Sequence, residues 1–404
     1  MLHGHTIAGG TKGDYFRTID GGETWTMIAG NFKGGTSGRI YDLAFASQDV
    51  GYAAGYHGYV YKTSDGGASI WQQIETPEHN VTTNTYLPAL YVLSEQEFWV
   101  GGKEGRMFYS NDGGATINSY QIPSGNDFDS FWFCSADQGI VMSSTQMFHY
   151  LPGATPWKPI TNWVGDSWYG IAVVGEDKLC LVAADGMYSY GSIADFQMPK
   201  VAIPDNYSNL NTALFTNDKG FLMGYKTLMM TTDDGATWTE VVNADSGLDK
   251  YVRDMAFIDE NTGYFGDSGG TLWKTTDGGF TWKPDTTIGK GLYRIIFPDN
   301  QIGFLLDFTE ERIFKTTDGG TTWTAYPVTS YKSYLYDMEM VDDTTLVIAG
   351  YDATISGSSF GYILRSTDSG ETWTEVFHDT LSYTSLNLYS VQFHGQIGYA
   401  TGNN

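Results

Sequence analysis

Cysteine, basic residues and long apolar runs are all scarce in this 404-residue sequence. Two cysteines, Cys134 and Cys180, are too few for a disulfide framework and stand in no metal-ligand spacing. In the runs FWFC and KLCLV they are expected as buried free thiols, since free cysteine packs like a small hydrophobe. No apolar stretch approaches the roughly 20 residues that span a bilayer, so membrane insertion is not expected. Lys and Arg number 22 against 47 Asp and Glu, a net charge of −25. That balance favours solubility and argues against nucleic acid or anionic lipid as partners. A sustained 3.6-residue apolar period is also missing, and with it the case for helices. What abounds is glycine, 50 residues, and tyrosine, 28, which suits short strands joined by tight turns. The opening MLHGHTIAGG has no basic stretch followed by an apolar one. The expected extracellular or cell-surface location therefore rests on a leader outside this sequence.

An internal repeat dominates the chain. The segments TIDGGETW (18–25), TSDGGASI (63–70), SNDGGATI (110–117), TTDDGATW (231–238), TTDGGFTW (275–282), TTDGGTTW (316–323) and STDSGETW (366–373) share the pattern Ser/Thr-x-Asp-x-Gly-x-Ser/Thr-Trp/Ile. Their aspartates, Asp20, Asp65, Asp112, Asp233, Asp277, Asp318 and Asp368, are 45, 47, 121, 44, 41 and 50 residues apart. The gap of 121 holds three periods of about 40, so two worn repeats are expected inside it. One is DSFWFCSADQGIVMSSTQMFHY running into LPGATPW, where Gly153 and Trp157 keep traces of the box. The other, WYGIAVVGEDKLCLVAADGMYSYGS, has the strand rhythm without a box.

Each period reads as four short strands; over 41–75 these are YDLAFAS, GYAAG, YVYKT and, after the box, SIWQQIE. Four-stranded units of 40 to 50 residues are propeller blades. The expected fold is all-β: a single β-propeller over 1–404 of about nine four-stranded blades, with eight as the alternative. Residues 386–404 supply the first two strands of a closing blade and residues 1–28 the last two, which removes an exposed sheet edge. TIAGG (6–10) duplicates GYATG (398–402) as a second strand, and the surplus copy offers a route to self-association. Within the box, Asp accepts turn N–H groups, Gly adopts φ > 0, and the Trp or Ile is expected to pack between neighbouring sheets.

These boxes resemble the BNR, or Asp-box, repeats of sialidases, sortilin-type receptors, xyloglucanases and photosystem II assembly factors. The resemblance covers essentially the whole chain. It implies that the seven box aspartates, with Trp25, Trp238, Trp282, Trp323 and Trp373, are structural and lie on the face away from the ligand site. It implies no one function, because those relatives include enzymes, receptors and assembly factors. A sialidase-like site would need three arginines on a carboxylate, a Tyr–Glu pair and an aspartic acid. Arg39, Arg253 and Arg294 stand near the starts of inner strands, with Tyr336 and Glu339 available. The Phe-Arg-Ile-Pro signature is missing, however, FRTI (16–19) is a weak echo, and sialidase propellers have six blades. The assembly-factor reading needs a basic patch, and only seven arginines are present.

Aligning the innermost strands sets Tyr41-Asp42-Leu43-Ala44-Phe45 beside Arg253-Asp254-Met255-Ala256-Phe257, Tyr293-Arg294-Ile295-Ile296-Phe297, Tyr336-Asp337-Met338-Glu339-Met340 and Tyr389-Ser390-Val391-Gln392-Phe393. Columns three and five are apolar and expected between blades. Column two, Asp42, Asp254, Arg294, Asp337 and Ser390, is expected near one mouth of a central channel. Arg294, Arg253, Arg39 and Tyr336 are the ligand-binding candidates, and Asp42, Asp254, Asp337 and Glu339 the catalytic ones, since a glycosidase needs two facing carboxylates. Trp163, Trp168, Tyr331 and Tyr334 are candidate stacking platforms. No loop offers the alternating oxygen ligands of an EF-hand, and no metal or cofactor is expected. The expected role is a non-catalytic interaction module for protein or glycan. The alternatives are a glycoside hydrolase with channel-mouth carboxylates and a structural component of a surface assembly.

Overall fold

The computed structural model describes residues 15–28, 40–77, 85–122, 124–143, 145–152, 156–160, 168–174, 178–183, 187–192, 200–202, 210–216, 219–243, 246–329, 332–354, 359–378 and 386–403. These form nine four-stranded antiparallel sheets and no α-helix. The chain divides into two compact units, Met1–Gly165 with Val376–Asn404, and Asp166–Glu375. The first unit holds the sheets that begin at Ile40–Phe45, Ala89–Val92 and Phe128–Ser135. It also holds the closing sheet, in which Asn387–His394 and Ile397–Asn403 pair onward to Tyr15–Thr18 and Thr26–Ile28. The second unit holds the sheets that begin at Trp168–Val174, Leu210–Phe215, Val252–Phe257, Leu292–Ile296 and Ser333–Met340.

The closing strands and both worn repeats thus form sheets where the spacing placed them. In the closing sheet the second strand is the GYATG copy; TIAGG lies outside the described residues, as do Gly153, Arg39, Trp163 and Tyr331. Second strands such as Gly51–Gly55, Gly220–Gly224, Gly263–Asp267 and Gly303–Asp307 are buried along their whole length, while the fourth strand Lys283–Thr287 is mostly exposed. The cores lie between facing sheets. One gathers Phe221, Met230, Met255, Phe265 and Trp273, and another gathers Phe304, Ile313, Leu335, Ile348 and Tyr362. Column three of the first strands, Leu43, Met255, Ile295, Met338 and Val391, is buried as expected.

The box turns share one hydrogen-bond pattern. Thr275 Oγ1 donates to Asp277 (2.8 Å) and accepts the Gly279 N–H (2.9 Å), while Asp277 accepts the N–H and hydroxyl of Thr281 (2.9 and 2.6 Å). Asp20, Asp65, Asp112, Asp233, Asp318 and Asp368 repeat it with their own Ser or Thr neighbours. Gly279 must be glycine: its φ is 95°, and an added Cβ would lie 2.7 Å from the Phe221 ring.

Four of the five box tryptophans, together with Trp71 and Trp157, share one kind of partner, while Trp373 packs against the core of Phe304, Ile313 and Leu364. In six sheets a phenylalanine stands within two residues of the end of the first strand and a glycine within one residue of the start of the second: Phe45 and Gly51, Phe133 and Gly139, Phe215 and Gly220, Phe257 and Gly263, Phe297 and Gly303, Phe393 and Gly398. The ring lies over the glycine so closely that a Cβ there would sit 2.3–2.7 Å from it. A tryptophan then meets the same phenylalanine edge-on at 5.8–6.1 Å: Trp71, Trp157, Trp238, Trp282, Trp323 and Trp25 in the same order. Trp157 keeps this role in a worn repeat. One expectation is corrected here. Ile70, in the tryptophan position of its box, is 68% exposed, and its neighbour Trp71 packs in its place at 1%. The strand there starts at Gln72, so one added residue carries the ring inward.

Candidate functional site

In seven of the nine antiparallel sheets the box joins strands three and four. The start of strand one, the end of strand two and the start of strand three therefore lie together at the other end. A β-bulge marks that end. In eight sheets the first strand slips register within its first four residues; the ninth, Ala89–Val92, pairs in straight register. The extra residue is a tyrosine at 41, 169, 293, 336 and 389, and Arg253, Asp129 and Asn211 at the rest. A bulge gives a side chain a direction that regular pairing forbids, which is why bulges gather beside binding sites.

The carboxylates of column two follow the bulge and reach sideways. Asp42 accepts the N–H of Leu43 and, from the next sheet, that of Leu90, both at 2.9 Å. Asp254 does the same with Met255 and Ile295 at 2.9 and 3.0 Å, and Asp337 accepts the N–H of Met338 at 3.0 Å. Asp42 and Asp254 therefore act as straps between first strands. Burial pushes the Asp42 carboxyl up to about 8, although its two N–H donors pull the other way. Asp254 is also raised by burial, with Arg294 and two N–H donors opposing. Glu339 is half-buried two residues beyond Asp337 on the same strand.

Arg294 is 47% exposed and lies between two of these aspartates, 3.8 Å from Asp254 and 3.7 Å from Asp337. Arg253 stacks its guanidinium 4.8 Å from the Tyr251 ring centre and 5.8 Å from that of Tyr293. Rings continue on both sides. Tyr251 lies 4.8 Å from Tyr225, which carries Lys226 at 5.1 Å. Tyr293 stacks on Phe308 at 5.4 Å, and Phe308 touches Tyr334 and Tyr336 at 5.1 and 5.0 Å. Tyr351 ends the row, 5.2 Å from Tyr334 and 5.8 Å from Tyr336. The result is a half-buried shelf of tyrosines interleaved with cations, across four sheets of the second unit.

The shelf brings together Arg253, Arg294, Tyr336 and Tyr334 from the sequence candidates. Sequence reasoning missed Tyr225, Tyr251, Tyr293, Phe308 and Tyr351. A signal existed in column one, which is Tyr in four of the five aligned strands and Arg in the fifth. The first unit has a smaller, acidic counterpart. Tyr41 lies 6.0 Å from Tyr86, whose hydroxyl donates to Asp127 and is pushed up to about 12 by that bond. Among the described residues no group of three or more His, Cys, Asp or Glu is placed to hold a metal.

No family model matches the sequence, and no curated protein matches it either. Among solved structures the chain is similar to the C-terminal WD40 domain of Sif2, with a TM-score of 0.53 at 9% identity, over 79% of this chain and 96% of that one. It is similar to the computationally designed Ika8 protein, with a TM-score of 0.52 at 12% identity, over 78% and 95%. YCF48 bound to D1 peptide aligns at a TM-score of 0.43 and 16% identity over 69% and 89%, too distant to argue from. At such identities a likeness speaks for the fold alone. The fold is that of a β-propeller.

Proposed function

We propose that this propeller is a non-catalytic interaction module, and that it contacts its partner through the bulge end of the sheets. The observation that carries this reading is the tyrosine–arginine shelf around Arg253 and Tyr293. Tyrosine and arginine are the side chains most enriched at binding hot spots, since each offers a broad surface and a polar edge. The hydrolase alternative would draw on column two. Its best carboxylates, Asp42 and Asp254, are engaged in N–H bonds that join neighbouring strands, which leaves them poorly suited to activate water.

The test is a peptide and glycan array probed with wild type, Tyr293→Ala, Tyr336→Ala and the box-end control Phe280→Ala. Phe280 is 55% exposed in its turn. Signal should fall in the two tyrosine variants and persist in the control. Turnover of any aryl glycoside that Asp254→Asn abolishes would replace this reading with the hydrolase.

A further inference from the structure

Hydrogen-bond acceptors and donors are out of balance at the shelf. The carboxylates around it are engaged: Asp254 and Asp337 by backbone N–H groups, Asp267 by Gly269, Thr271 and the Trp273 indole, and Asp307 by the N–H groups of Lys290 and Thr309. Glu310 pairs with both Lys290 and Arg312. Arg253 and Arg294 are the reverse. Arg253 is held by two ring faces, and Arg294 by two carboxylates at 3.7 and 3.8 Å, beyond hydrogen-bond reach. Neither guanidinium makes a hydrogen bond among the described residues. Each is oriented, and each keeps its N–H fork for something else. A guanidinium fixed in this way matches a carboxylate through two parallel N–H···O bonds without the usual ordering cost.

The geometry points to a partner protein that presents a short acidic motif, one or two Asp or Glu side chains beside an apolar or aromatic residue. The carboxylates would seat on Arg253 and Arg294, and the neighbouring side chain on the rings of Tyr293 and Tyr336. Charge sets the size of the motif. A chain of net charge −25 repels a polyanion over the screening length of about 8–10 Å, so a uronate polymer or an acidic tail gains little from two arginines. One or two carboxylates in an otherwise neutral or basic protein escape that penalty. This inference rests on the reading of the bulge end as the partner-binding face and adds what the partner carries there.

The probe is a pair of immobilised peptide libraries, one with a fixed Asp-x-Asp core and one with Asn-x-Asn, the flanking positions randomised alike. The intact chain should select Asp-x-Asp sequences with apolar or aromatic flanks at least tenfold over their amide twins. Arg253→Gln and Arg294→Gln should each lower that binding about tenfold with unchanged melting temperature. Should Arg294→Gln lower the melting temperature, Arg294→Lys keeps the charge between Asp254 and Asp337, loses the fork and should still bind weakly. Equal binding of the two libraries, binding of neither, or binding indifferent to both arginines overturns the inference. So does preference for oligogalacturonate over every peptide. A peptide that depends on Tyr293 but not on the arginines sinks this inference alone; one lost only with box-end substitutions sinks the proposed function as well.

Discussion

At the box end of the sheets, Asp112 and Asp233 are held at about 2 by the hydroxyl and N–H of Thr116 and Thr237. At the bulge end Asp42 is pushed up to about 8 by burial, and the rings beside the bulges stack on cations as well as on each other. Both ends are made of aspartates and aromatics. The box end closes on itself, because Thr275, Asp277, Gly279, Thr281 and Trp282 supply each other's donors and acceptors. The bulge end does not close, and Arg253 and Arg294 keep donors that no described residue accepts. One residue type closes a turn or leaves bonding capacity open according to whether its neighbours complete its bonds.

Several substitutions can break that comparison, and the largest effect is expected from Trp282, 6% exposed against Phe257. Trp282→Ala should cost about 3–5 kcal/mol in denaturant unfolding. Next, Gly303→Ala would place a Cβ 2.3 Å from the Phe297 ring, a clash worth roughly 1–3 kcal/mol. Gly291→Ala, at the bulge end, meets nothing nearer than Thr309 at 3.4 Å and should stay within about 0.5 kcal/mol of wild type. Thr275→Val leaves the buried Gly279 N–H unpaired and should cost about 1–2 kcal/mol. Equal losses at both ends in these melts would erase the distinction.

The smallest effect is a pH slope. Asp42 binds its proton up to about pH 8 in the fold, but only up to ~4 when unfolded. Between those values the folded state holds the extra proton, so stability falls as pH rises. Buried His149, pushed down to about 4, works the other way up to its unfolded value of ~6.5. Above ~6.5 the opposing His149 contribution is complete, and the slope that remains is that of Asp42, with the raised Asp254 acting in the same direction. The wild-type melting temperature should fall from there to about pH 8, and Asp42→Asn should flatten the decline. A flat wild-type profile would mean that the two N–H donors outweigh burial.

The blades were legible because a turn that supplies its own bonds leaves a fixed spacing of Thr, Asp, Gly and Thr in the sequence. The worn repeats were legible through strand rhythm, and the Trp157 partnership with Phe133 shows why the box could erode while its ring stayed. The pairing of a Phe near the end of the first strand with a Gly five or six residues on is equally legible in the sequence. The bulges were not legible. A register slip is a property of two strands, and Tyr293 before Arg294 looks the same with or without one. Within column two the sequence does not separate Asp42 and Asp254, which tie neighbouring strands, from Arg294, which stands beside the column-one ring of Tyr293.

The most direct test measures unfolding midpoint and array binding together on Thr275→Val and Tyr293→Ala. The account predicts that Thr275→Val lowers the midpoint and leaves binding intact, while Tyr293→Ala loses binding with little change in the midpoint. The opposite pairing, binding lost with Thr275 and stability with Tyr293, would contradict it.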